Sequence, residues 1–176
     1  MNPVSDRITE VAMMKVRNGV LVDEFSTLVN PLVTIPYTIT NITGIDNTMV
    51  KDAPTAREIA RYVREFLGDG VFTAHNAAFD WGFISETVKR ETGMLLGNET
   101  LCTVKMSRRI LPHLKSKSLG HVARELKIRI PERHRASGDA YATALVLVKY
   151  LSYLKQQEGF ESVEEVLAFQ RTRRPG

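Results

Sequence analysis

The 176-residue chain is long enough for one compact domain with a packed core and too short for two ordinary ones. Its composition, 43% hydrophobic and 25% charged with a net charge of +4, is that of a soluble globular protein. No apolar run is long enough to cross a membrane, the first residues carry no secretory signal, and a single cysteine, Cys102, excludes an internal disulfide framework; a cytoplasmic location is the expectation.

Arg7 to Val16 and Val20 to Val29 are rich in β-branched and apolar residues and flank Asn18-Gly19, the pair that best tolerates a type I′ turn, so they predict a hairpin. Apolar residues fall on both faces of its first strand: Ile8, Ala12, Met14 and Val16 on one, Val11 and Met13 on the other. This predicts a sheet covered on both sides by helices. Residues 30–53, with Pro31, Pro36 and Gly44, read as a long irregular connection, a kind of segment that is usually functional. Thr55 and Glu58 form a capping box ahead of a helix that stops at Gly68. A short strand from Val71 to Ala74 breaks at His75-Asn76 into a second helix, with Asn76 as its cap, running to about Arg90. Further helices are predicted over 104–111, over 119–126 with Ser118 as cap, over 137–157, and over 163–169 ahead of a basic tail.

Two stretches carry chemistry. His134-Arg-Ala-Ser-Gly-Asp139 sets an imidazole five residues before a carboxylate where a loop enters a long helix, and His75-Asn-Ala-Ala-Phe-Asp80 sets a second carboxylate in the opening turns of another helix. A metal-dependent hydrolase needs carboxylates to hold the cation and a base titrating near neutrality to deprotonate water. Between Thr103 and Arg135 there are ten Lys or Arg against two Glu, a local charge of ten minus two, or +8, which favours a polyanionic partner such as nucleic acid.

In their order and separation these two stretches resemble the second and third motifs of the DEDDh exonucleases, the proofreading-subunit group of bacterial DNA polymerase III within the ribonuclease H-like superfamily. Ile42-Thr43-Gly44-Ile45 is similar to the loop those enzymes set against the terminal nucleotide, and Leu101-Cys102-Thr103 with Ser118-Leu119 is similar to the segment between motifs. The resemblance implies an α/β ribonuclease H-like fold, a mixed central sheet with helices on both faces. It also implies a 3′ to 5′ exonuclease acting on single-stranded DNA 3′ ends with two divalent cations, Mg²⁺ or Mn²⁺. By this likeness Asp80 and Asp139 are metal ligands, His134 is the general base, and Ile42, Thr43, Gly44, Asn76 and Phe79 touch substrate. A DNA polymerase subunit or a fused C-terminal domain is the implied protein partner, with residues 1–158 as exonuclease domain and 159–176 as C-terminal helix and basic linker.

The family's first motif, a strand bearing Asp-x-Glu, has its place immediately before Asn2-Pro3 and has no counterpart in this sequence. The expectation is therefore a domain without its central strand and without two of four metal-binding carboxylates, with unpaired strand edges, doubtful stability and little activity as it stands. Asp6 as a turn former and Glu10 as a solvent-facing strand residue are not expected to substitute. A non-catalytic nucleic-acid-binding remnant and an exonuclease on short RNA are the alternative readings.

Overall fold

Asn18 and Gly19 both adopt positive φ, 52° and 76°, as a type I′ turn requires, and join β1 (Glu10–Arg17) to β2 (Val20–Leu28) in an antiparallel pair. The computed structural model describes residues 2–129 and 135–171. Val11 and Met13 pack with Phe25 against Ile59, Ala60 and Val63 of α3 (Ala56–Leu67) and Val88 of α4 (Ala77–Thr92). Strand alternation turns Ala12, Met14 and Val16 the other way, toward α7 (Ala136–Glu158), which crosses β1. Ile8 is the exception to the predicted faces: it lies ahead of β1 and joins the Val11 cluster, because alternation does not extend beyond the strand.

Residues 30–53 depart from the predicted irregular connection. They hold two short helices, α1 (Tyr37–Thr43) and α2 (Asn47–Val50). Gly44, at φ 73°, ends α1 by donating its N–H to the Thr40 carbonyl, and the Asp46 carboxylate caps α2 by accepting from the N–H groups of Thr48 and Met49. Ile35, Ile45 and Val50 form a small core beneath them. The capping box at Thr55 and Glu58 forms as predicted.

After α3 the chain enters β3 (Phe72–Ala74), which pairs in parallel with β4 (Thr100–Cys102), a three-residue strand the sequence pattern does not reveal. Phe72 and Cys102 pack on Ala77, Trp81 and Ile84 of α4. On the opposite face Leu101 enters the largest core, built with α5 (Thr103–Ile110), α6 (Leu119–Glu125), α7 and α8 (Val163–Arg171). In that core Tyr150 is fully buried. Ser107 donates its hydroxyl to the Thr103 carbonyl, so Tyr150 donates to Ser107 at 2.7 Å, and burial pushes the phenol up to about 12. Gln170 of α8 closes the outer edge of β4: its carboxamide oxygen accepts from Cys102 N–H at 2.8 Å and its nitrogen donates to the Thr100 carbonyl.

The two strand pairs belong to one layer between α3 and α4 on one side and α7 on the other, yet they do not pair with each other among the described residues. Between them runs an open trough of about 1250 Å³, bordered by residues 5–17 along one wall and 68–75 along the other.

Candidate active site

At one end of the trough Asp80, in the first turn of α4, and Asp139, in the first turn of α7, line the same space. The local sequence explains both placements. Asn76 ends β3 with φ 82° and ψ 52°, a left-handed backbone that Asn tolerates better than most residues, so α4 starts abruptly and points its first turn at the strand end. This differs from the predicted cap: Asn76 occupies the N-cap position, but its side chain makes no capping hydrogen bond, because the left-handed turn replaces the extended geometry that side-chain capping uses.

Burial pushes the Asp80 carboxyl up to about 6, opposed by a backbone hydrogen bond and reinforced by the negative charge of Asp139. A carboxylate held so far above its ordinary range and facing a second carboxylate is a group that a cation would stabilise. Beside them, His75 donates Nε2–H to the Lys117 carbonyl at 2.8 Å and accepts at Nδ1 from the Thr103 hydroxyl at 2.9 Å. Burial holds its pKa below the ordinary value, so the ring is neutral at pH 7 and ties the end of β3 to the start of α5.

Of the residues proposed for substrate contact, Thr43 and Phe79 line the trough with the two aspartates, whereas Ile42, Gly44 and Asn76 do not. Ile42 is exposed on α1, and Phe79 is 40% exposed with its ring 5.1 Å from that of Phe83. His134 lies outside the described residues. His113 pairs with Glu125 at 3.0 Å on the surface, and His121 accepts or donates at Nδ1 with the Ser118 hydroxyl, so that Ser118 holds the ring rather than capping α6 as predicted.

Glu10 corrects the reading of a solvent-facing strand residue. Its side chain is 8% exposed and reaches the start of α7, where Arg135 donates Nη2–H at 2.8 Å and Nε–H at 3.1 Å to one oxygen and Ala136 donates its backbone N–H at 2.9 Å to the other. Glu10 therefore caps the helix that carries Asp139, and it does so from another element. Sequence reasoning misses it because the partner stands so far along the chain. Among the described residues no group of three or more His, Cys, Asp or Glu could hold a metal ion, and no helix is long and apolar enough to cross a membrane.

A family model described as an exonuclease, RNase_T, matches residues 1–147. The chain is 40% identical over 160 residues to the DNA polymerase III PolC-type of Clostridium perfringens, a match that covers 91% of the chain and 11% of that protein. The chain thus spans about a tenth of the length of this relative. Among solved structures, exonuclease X in complex with 5′ overhanging duplex DNA matches with a TM-score of 0.71 and 26% identity, covering 95% of this chain and 93% of that one. The zinc-bound complex of Escherichia coli ExoI with single-stranded DNA matches with a TM-score of 0.74 at 16% identity, over 90% of this chain and 38% of that one, which shows a shared fold.

Proposed function

Because the chain belongs to the RNase_T exonuclease family, we propose that it is the exonuclease module of a DNA polymerase III-type protein, built to hydrolyse phosphodiester bonds from the 3′ end of single-stranded DNA. The observation that carries this reading is the meeting of Asp80 and Asp139 at one end of the trough, with Asp80 raised to about 6. Oxygen-only donors suit a hard divalent cation, Mg²⁺ or Mn²⁺, and the two aspartates would hold such ions. When bound, paired cations activate a water and offset charge on the leaving 3′ oxygen.

The chain's own residues divide the remaining work. His134 takes the proton from the attacking water. Phe79, with Phe83 behind it, offers a face on which a base can stack, and Thr43 borders the same space. Ile42 and Gly44 meet the terminal nucleotide from the rim, and Asn76 holds the strand end. Glu10 fixes the start of α7, and with it Asp139.

Two carboxylates alone are too few for the paired-cation chemistry, which needs further acidic ligands beside Asp80 and Asp139. The lack of a three-ligand cluster among the described residues favours, as a second reading, a nucleic-acid-binding module without catalysis. A nuclease assay on 3′-end and 5′-end labelled single strands separates the two. A polypeptide extended ahead of Asn2 by an Asp-x-Glu strand releases mononucleotides from 3′ ends with Mg²⁺ or Mn²⁺ and stops doing so in Asp139→Ala. An extended protein that binds the strand and leaves it intact establishes the second reading instead.

A further inference from the structure

We propose that Leu32, on the turn between β2 and α1, is a base-contact residue: its side chain meets the face of an unpaired base just behind the terminal nucleotide and so favours single strands. The assignment rests on the reading of the chain as an exonuclease module for single-stranded 3′ ends. A leucine that gains little from packing carries it. The Leu32 backbone stands at φ 57°, in the left-handed region where a leucine is strained, and the residue is 73% exposed, so burial does not offset the strain. Such a conformation persists only where the surrounding structure imposes it.

Here the turn is braced from both ends. Asn30 donates its backbone N–H to the Pro54 carbonyl at 2.9 Å and its side-chain amide to the Lys51 carbonyl at 3.0 Å, and its side-chain oxygen accepts from the Leu32 N–H at 3.0 Å. Pro31 is buried. On the other side Ile35 is buried and donates its N–H to the Asn47 side-chain oxygen at 2.8 Å. Leu32 and Val33 are therefore held outward in one geometry, which lowers the ordering cost of a contact.

The turn also stands beside the site. β2 ends at Leu28, opposite Glu10, whose carboxylate bonds to the start of α7, the helix that carries Asp139. A few residues on, Val33, 59% exposed, lines the trough together with Asp80, Asp139 and Phe79. An apolar side chain offers nothing to a phosphate, which is held by cations and N–H donors. What a nucleic acid strand presents to leucine is the face of a base, and in a duplex stacking and pairing cover that face.

Fluorescence anisotropy of 5′-labelled oligothymidylate, in EDTA so that the strand stays intact, tests the contact. Leu32→Gly removes the side chain and relieves the left-handed backbone, so the variant melts close to the parent chain, strain relief offsetting the freedom glycine adds to the unfolded state. It should nevertheless bind the strand at least about fivefold more weakly. Both proteins should bind equally a strand with an abasic site at the contacted position, located by placing that site second, third or fourth from the 3′ end. Leu32→Met keeps an apolar side chain and should keep the binding. Unchanged binding by Leu32→Gly, an equal loss on the intact and on every abasic strand, or a clearly lower melting temperature would each overturn the assignment and leave the exonuclease reading standing. No binding of any strand by the parent chain would sink that reading, and this contact with it.

Discussion

The two halves of this molecule handle the same physical problem differently. Where α5, α6, α7 and α8 meet, the core is closed: Met106, Val122, Val146, Tyr150 and Leu154 are fully buried, and even the β4 edge is closed by a side chain. Around β1 the apolar faces are packed but the inner edge opens on the trough, and the residues on that side, Ala12, Met14 and Val16, stay partly exposed. Stability is therefore expected to reside in the closed half, while Asp80 and Asp139 stand at the border of the open one. The difference can be broken at one pair of positions. Leu154→Ala removes a side chain with no exposed surface and should lower unfolding free energy by about 3 kcal/mol, whereas Met14→Ala should cost less than about 1 kcal/mol, both read by urea denaturation. Equal losses would remove the distinction.

Glu10 is the connection between the halves, since it bonds from β1 to the start of α7. Glu10→Ala leaves Arg135 and the Ala136 N–H without this partner in a partly buried place, and a loss of about 1–3 kcal/mol is expected in the same denaturation experiment. Glu10→Gln, which keeps an acceptor for the Ala136 N–H, should lose less.

A smaller effect of opposite sign is expected at Asp80. Its folded pKa, about 6, stands above the ordinary carboxylate value, so the fold favours the protonated form. That contribution is fully present below about pH 4 and is lost as the pH rises through 6, where the buried carboxylate must ionise. Asp80→Asn should accordingly stabilise the protein at pH 8, on the order of 1 kcal/mol once screening by water in the open trough is allowed for, and make little difference at pH 4. Melting temperatures of the two proteins at both pH values check the sign.

Much of this organisation is legible in the sequence, for identifiable reasons. Asn18-Gly19, the Thr55 and Glu58 box and the apolar spacing of α7 are local signals, and local signals set the hairpin and the long helices. Asp80 and Asp139 are legible as a pair only through the order of two motifs, because nothing in either helix alone shows that they meet. The short helices within residues 30–53 are missed because Tyr37–Thr43 is dense in β-branched residues, and tertiary packing of Ile35, Ile45 and Val50 outweighs that preference. Strand β4, the Glu10 cap and the Gln170 closure are missed for a different reason: each depends on a partner distant in sequence, and three residues carry no readable period.

The central claim is that Asp80 and Asp139 form half of a cation site. Calorimetric titration of this chain with Mn²⁺ at pH 7.5, beside Asp139→Asn, tests it most directly. The account predicts weak saturable binding to the chain that is lost in the variant; binding that is unchanged by Asp139→Asn would contradict it.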